Sequence, residues 1–359
     1  MSHVLQAPVA PGGTIGILGG GQLGRMLALA AARLGLKTHI YCDEPSPAFE
    51  VAAAHTLAAY DDEAALARFA ASCDVASFEF ENVPAAAAAF VAARVAFAPR
   101  VAALELTQDR LAEKTFATKL GLRTAPFAEV SSAEEARAAF AKIGAPAVLK
   151  TRRFGYDGKG QAKVSSPEEV VRAFDEDAPA VLEGFIDFAF EVSVVAARGR
   201  DGAFAAYDPV ENVHENHILR RSTVPSRLAA AKAAEAALIA RKIAEALDYV
   251  GVFAVELFAT KDGALLVNEI APRVHNSGHW TIEACSTSQF EQHIRAIAGW
   301  PLGSPQRHSN AVMENILGAE AADWLRLSTS GALHLYGKKE MRPGRKMGHL
   351  TRLFPRGER

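Results

Sequence analysis

Cysteine is scarce in this chain: Cys42, Cys73 and Cys285 are the 3 in 359 residues, and no C-x-x-C spacing joins them. That excludes a disulfide framework and a zinc knuckle, and it fits a reducing compartment. Long apolar runs are missing too. None approaches the ~18 residues a membrane span requires, and the first ten residues lack a basic start followed by an apolar core. The expectation is a cytoplasmic protein with no membrane partner. Nor is there an excess of one charge: 39 Lys and Arg against 41 Asp and Glu leave a net −2, which gives no electrostatic reason to expect nucleic acid. No internal repeat or low-complexity linker is visible.

What the chain has is length for two or three domains and 50% hydrophobic residues to fill their cores. Its charge is unevenly spread. From Gly337 onward eight Lys or Arg (338, 339, 342, 345, 346, 352, 356, 359) stand against Glu340 and Glu358, so the tail is +6 and the rest −8. A basic end on an acidic body suggests a local anion site.

Residues 14–18 form a short apolar run closed by Gly19-Gly20-Gly21, after which 22–34 reads as helix and 37–42 as a second strand, a βαβ unit. A helix at 63–72, a strand at 75–79 and a helix at 85–93 extend this to a small parallel sheet. A helix at 107–120 leads to helix 133–143, strand 147–150, a glycine-rich loop at 155–160, strand 161–164, helix 167–174 and strand 180–183. This α+β module of about 75 residues is below the usual domain size and suits a movable lid. Strands at 191–197 and 203–207, an Ala-rich helix at 229–247 and a hairpin of 250–260 with 264–270 follow. The expected organisation is α/β and α+β: an N-terminal βαβ domain over 1–106, a lid over 107–190 and a mixed C-terminal domain over 191–359.

The hairpin carries the first chemical signal. Asp262-Gly263 is a two-residue turn signal, and with Lys261 opposite Ala264 that turn places Glu256 directly across from Glu269. Facing like charges are destabilising, and Phe258 and Val267 on the same face would be apolar. A magnesium ion, which takes oxygen ligands and fills its shell with phosphate and water, relieves the repulsion. With a longer turn the register slips by one and one glutamate points to solvent.

Two loops look suited to anions. In Arg152-Arg153-Phe154-Gly155-Tyr156-Asp157-Gly158-Lys159-Gly160-Gln161 three glycines let backbone N–H groups converge and Lys159 adds charge; the plain alternative is a surface hairpin with a basic flank. Lys150 ends an apolar strand, where a buried ammonium needs an anion, and Arg110 and Lys114 lie one helical turn apart. Gly19-Gly20-Gly21-Gln22-Leu23-Gly24 is a G-x-G-x-x-G with Asp43 closing the next strand, the fingerprint of a nicotinamide-dependent dehydrogenase. A helix N-terminus binds phosphates of many kinds, so the same loop also suits a ribonucleotide.

Taken together, Gly155 to Gln161, Glu183-Gly184-Phe185-Ile186 with Glu191, and Glu256 with Asn268-Glu269 resemble the ATP-grasp ligases. Further motifs narrow the resemblance: 19–26 (GGGQLGRM), 78–83 (FEFENV), Gln108-Asp109-Arg110 with Lys114, 271–279 (APRVHNSGH) and 342–349 (RPGRKMGH) look like the carboxyaminoimidazole ribonucleotide synthases of bacterial purine biosynthesis. One departure is Val274, where that family is expected to carry proline.

The resemblance implies an ATP-grasp fold with a Rossmann-like preATP-grasp domain, a small lid and a mixed C-terminal domain. It implies a ligase that joins bicarbonate to 5-aminoimidazole ribonucleotide through carboxyphosphate, releasing ADP and phosphate. ATP contacts map onto Arg110, Lys114, Lys150, Gly155 to Gln161 (Gly155, Tyr156, Asp157, Gly158, Lys159, Gly160, Gln161), Glu183, Gly184, Phe185, Ile186, Glu191, His214, Asn268 and Glu269. Magnesium, with manganese able to replace it, maps onto Glu256 and Glu269. The ribonucleotide site maps onto Gln22, Leu23, Glu79, Tyr156, Asp157, Arg273, His275, Asn276, Ser277, Lys338, Arg345 and Lys346. Of these, Asp157, Lys346, Tyr156 and Arg273 are implied as catalytic, Asp157 as proton acceptor and Lys346 as the cation at the reacting group, and Arg273 with Arg345 as the clamp on the ribose phosphate. A homodimer is also implied. The rival on the same scaffold is a formate-dependent formyl transfer to glycinamide ribonucleotide.

Overall fold

Three β-sheets, each built by a different stretch of the chain, set the architecture of the computed structural model, which describes residues 3, 5–155 and 160–357. The first is parallel throughout. Strands β1 (Thr14–Leu18), β2 (Lys37–Cys42), β3 (Ala54–Leu57), β4 (Val75–Phe78) and β5 (Ala96–Phe97) lie in the order β3-β2-β1-β4-β5. Because crossover helices cover such a sheet, its central strands are buried on both faces, and β1 and β4 accordingly read as continuous apolar runs. The helices are α1 (Gln22–Arg33), α2 (Glu63–Ala71) and α3 (Ala85–Ala92).

The single helix expected over 107–120 is two, α4 (Val101–Thr107) and α5 (Arg110–Lys119). Asp109 causes the break. Its backbone is extended, and its carboxylate accepts the N–H groups of Leu111 and Ala112 as the N-cap of α5. Arg152 donates to the same carboxylate at 2.6 Å.

The second sheet is antiparallel, in the order β6-β9-β7-β8, from β6 (Phe127–Val130), β7 (Ala147–Thr151), β8 (Gln161–Val164) and β9 (Ala180–Gly184). Helices α6 (Ala133–Ile143) and α7 (Pro167–Ala173) pack beside it. Each begins with a serine cap and a glutamate three residues on that reaches back to the backbone: Ser132 with Glu135, Ser166 with Glu169.

The third sheet has nine strands: β10 (Phe188–Arg198), β11 (Phe204–Ala206), β12 (Val210–Glu215), β13 (Ile218–Val224), β14 (Gly251–Thr260), β15 (Leu265–Ala271), β16 (Asn310–Leu317), β17 (Ala332–Leu335) and β18 (Lys346–Phe354). Their order is β15-β14-β10-β12-β13-β16-β18-β17, with β11 beside β10. The long Ala-rich helix α8 (Ala230–Ala246) covers one face, seating Ile239 and Ile243 against Val192, Phe253 and Val255. Helices α9 (Thr281–Ala284) and α10 (Gln289–Ile297) lie on the other, and α11 (Trp324–Ser328) follows β16. Phe290, Ile294 and Ile297 of α10 share one core with Leu23, Met26 and Leu27 of α1. That core holds the glycine loop of the first sheet next to the loop that follows β15.

Candidate active site

The site begins with the hairpin β14–β15, where Glu256 does face Glu269. The route differs from the simple turn. Thr260 and Ala264 close a three-residue loop, with the Thr260 N–H on the Ala264 carbonyl at 2.9 Å. Leu257 therefore pairs with Val267 and Phe258 with Leu266, one residue out of the expected register. A β-bulge at Asn268 then restores it, so that Asn268 and Glu269 together oppose Glu256. Two displacements cancel. Phe258 shares the face of Glu256 as expected, but Val267 lies in the core under α8.

Glu256, Phe258 and Asn268 line one recess with Glu191, Asn212 and His214 from β10 and β12. His275 Nε2 reaches the Glu256 carboxylate at 3.1 Å. Burial pushes that carboxyl up, but the His275 hydrogen bond and the positive charges of His275, His214 and Lys346 outweigh it and hold Glu256 well below the usual carboxylate range. His214 pairs through Nδ1 with Glu191. Against the burial that lowers it, Glu191 raises the His214 pKa.

Cations gather on the other side. Arg110 of α5 spans the site, with one nitrogen 3.4 Å from Glu269 and another donating to the Gly155 carbonyl at 3.1 Å. One turn on, Lys114 lies 3.1 Å from Glu183, and Lys150 donates to the same oxygen at 3.0 Å. The buried ammonium of Lys150 thus meets its anion inside the protein, on the neighbouring strand β9. Burial lowers the Lys150 pKa first, with Lys114 and Arg110 adding to it. The second oxygen of Glu183 is buried and has no hydrogen-bond partner among the described residues. Gly184 and Ile186 continue from it, and Phe185, 43% exposed, carries Lys163 4.1 Å above its ring. Gly160 takes a left-handed φ of 70° and accepts Thr151 N–H, and Gln161 meets His217 at 3.2 Å. Tyr156, Asp157, Gly158 and Lys159 lie outside the described residues.

The third part follows β15. Arg273 pairs with Glu81, which keeps both charged despite burial. His275 Nδ1 contacts Ser277 Oγ at 2.8 Å, and Asn276 exchanges two amide hydrogen bonds, 2.9 and 2.8 Å, with Asn315 of β16. Val274 is fully buried and leaves Arg273 and His275 in place. Lys346 opens β18 opposite Leu317, and its charge is felt at Glu256 and His214. Lys338 lies 5.8 Å from the Tyr336 ring. Arg345 sits further out, donating to the Glu340 carbonyl of its own segment at 3.2 Å.

The glycine loop is already occupied by the protein. Glu79 accepts the N–H groups of Gly21 at 2.9 Å and Gly24 at 3.1 Å, and a Cβ at Gly19 would stand 2.8 Å from its carboxylate. Burial raises the Glu79 pKa, while the Gly21 and Gly24 bonds oppose it. Asp43 of the dehydrogenase reading lines an acidic depression of ≈ 450 Å³ with Asp61 and Glu63. With two of the loop amides taken by Glu79 and acids beside it, the loop is a poor cradle for a dinucleotide pyrophosphate. Sequence reasoning missed Glu81, Glu113, Asn315 and Gln289, whose side chain meets the His275 backbone N–H and carbonyl, and the strands β3, β5, β6, β12, β13, β16, β17 and β18. Glu81 lay within the quoted FEFENV motif; the others stand in runs with no local signal.

Among the described residues no three His, Cys, Asp or Glu converge on a metal position, and no helix is long and apolar enough to cross a membrane. Comparison with known proteins gives three family matches: the ribonucleotide synthetase preATP-grasp domain over 13–108, the ATP-grasp domain over 115–290 and the phosphoribosylaminoimidazole carboxylase C-terminal domain over 311–358. The chain is 53% identical over 355 residues to the N5-carboxyaminoimidazole ribonucleotide synthase of Brucella melitensis, covering 96% of this chain and 98% of that one. A crystal structure of an N5-carboxyaminoimidazole ribonucleotide synthetase with ADP superposes with a TM-score of 0.94 at 41% identity, covering 97% and 94% of the two chains. The Aspergillus clavatus synthase, in complex with ADP and 5-aminoimidazole ribonucleotide, gives 0.88 at 32% identity over 96% and 94%.

Proposed function

This chain belongs to the family of N5-carboxyaminoimidazole ribonucleotide synthases, ATP-grasp ligases of purine biosynthesis, and from that premise we propose how its residues divide the reaction. Bicarbonate is a poor electrophile; ATP converts it to carboxyphosphate, and the amine of 5-aminoimidazole ribonucleotide takes the carboxyl group. A formyl transfer from formate and hydride transfer are not favoured, since the relatives share the carboxylating name over nearly their whole length.

Phosphoryl transfer asks for positioning and charge neutralisation. Glu256 and Glu269 suit a hard cation: they offer paired oxygens, and Glu256 is held ionised. Magnesium there, or manganese, would neutralise charge on the γ-phosphate as it transfers. Arg110, Lys114 and Lys150 present cations to the phosphates, with the Gly155 to Gln161 loop as the cover of a lid spanning 107–190. Glu183 to Ile186, Glu191, His214 and Asn268 border the nucleotide. On the other side, the first-turn amides of Gln22 and Leu23 are those not committed to Glu79 and suit the ribonucleotide phosphate. Arg273, His275, Asn276 and Ser277 hold the reacting end, with Lys346 beside them, Asp157 taking the amine proton and Tyr156 adjacent to it. Arg345 and Lys338 anchor the substrate from the basic segment. The working unit in this reading is a cytoplasmic homodimer, which light scattering of the purified protein tests.

The observation that carries this assignment is the facing pair Glu256 and Glu269, bracketed by His275 on one side and Arg110 on the other. The test is phosphate release from ATP with bicarbonate, with and without aminoimidazole ribonucleotide. Release that responds to neither compound overturns it.

A further inference from the structure

Strand β15 is the edge of the nine-stranded sheet, so only β14 holds it from within. At Asn268 even that ladder is interrupted, because the bulge leaves this residue without a partner on β14. Yet Asn268 and Glu269 are the two residues the proposed metal and nucleotide sites need in fixed positions. What fixes them comes from outside the sheet. The Val267 N–H donates to the Arg123 carbonyl at 2.7 Å, Lys114 donates to the Asn268 carbonyl at 3.5 Å, Arg110 donates to Glu269, and the Ile270 N–H donates to Glu113. Each residue of the bulge has its own grip from α5 or the loop after it. Of the three side chains involved, Arg110 and Lys114 are the ones assigned to the nucleotide in the reading above. Glu113 is 2% exposed and accepts the amide next to Glu269, and burial, with the nearby Glu269 charge, pushes its carboxyl up.

We propose that Glu113 is a positioning residue for the metal carboxylates: the hydrogen bond it accepts from the Ile270 N–H pins the bulged edge so that Glu269 stays opposite Glu256. The inference rests on the reading of that pair as the magnesium site. Groups that orient metal ligands without touching the metal commonly govern affinity as strongly as do some ligands themselves.

The test titrates full-length protein with Mn²⁺ in the presence of the non-hydrolysable analogue β,γ-imido-ATP, following free Mn²⁺ by electron paramagnetic resonance. Glu113→Ala and Glu113→Asp, the latter one methylene too short, are expected to weaken Mn²⁺ binding about tenfold. Glu113→Gln, whose amide oxygen accepts the same N–H, is expected to stay within about fivefold of the parent. A carboxylate that merely supports the fold would lower the melting temperature and leave the Mn²⁺ affinity of the folded protein unchanged; that result overturns the proposal. If the alanine variant does not fold, the aspartate variant decides, and parent-like affinity in it is refutation. Glu269→Gln is the reference. Weakened binding there with parent-like binding in the Glu113 variants overturns the positioning role alone, whereas parent-like binding in Glu269→Gln overturns the metal reading and this inference together.

Discussion

Replacing Glu183 by glutamine removes one charge and almost no volume from the most enclosed ionic cluster near the site. In the parent, Lys114 and Lys150 share one carboxylate oxygen at 3.1 and 3.0 Å, with side-chain exposures of 3%, 13% and, for Glu183 itself, 3%. The amide leaves two buried ammonium groups facing each other. Breaking a buried pair costs about 3–5 kcal/mol. The partial exposure of Lys150 argues for the lower end, so the second sheet is expected to lose about 3 kcal/mol. Amide hydrogen exchange reads this locally: protected amides of β7 and β9 should exchange roughly 100-fold faster, while those of β1 and β4 stay unchanged. Lys114 belongs to α5 and Lys150 to β7, so the effect reports how the second sheet is tied to that helix. The interaction also has a pH signature. Lys114 and Lys150 outweigh the burial that would raise the Glu183 pKa and hold it below 4.5. The stabilisation is therefore complete above about 4.5 and fades as pH falls through the lower folded value. The second sheet should loosen in acid in the parent and not in the glutamine variant. A change in β7 and β9 exchange of less than about threefold would refute the reasoning.

Glu269→Gln is expected to lower bicarbonate-dependent phosphate release by about 100-fold or more, since a cation on the pair is worth several kcal/mol to the transferring phosphoryl group; assaying inorganic phosphate checks it. Arg345→Ala should raise the KM for the ribonucleotide about tenfold with little change in kcat, the cost of one charged hydrogen bond. The Glu79→Gln substitution sets an amide donor against one of the N–H groups of Gly21 and Gly24, and is expected to cost about 1–3 kcal/mol of local stability, visible as faster exchange at Gly24. His214 is raised by Glu191, so its contribution is full below about pH 6.5 and is lost as pH rises through the higher folded value; a His214→Gln melting curve should lack that alkaline decline.

Much of this protein was legible locally. The parallel sheet announced itself because buried parallel strands are uninterrupted apolar runs. Glu256 and Glu269 were placed face to face by turn arithmetic alone. Tertiary structure decided the rest. The arithmetic was right only because a longer loop and a bulge displace the register in opposite senses, and the bulge is held by α5, a hundred and fifty residues away in sequence. Likewise the glycine loop has the sequence of a phosphate cradle, yet Glu79 takes two of its amides. Asn315, Glu81 and Glu113 have no local signature, because each acts on a partner that only the packing of separate sheets brings within hydrogen-bond distance. The sequence by itself determined which elements form and which residue types carry charge; the distances at which those charges meet, and hence which stay ionised and which are left for a substrate, were set by how the three sheets pack.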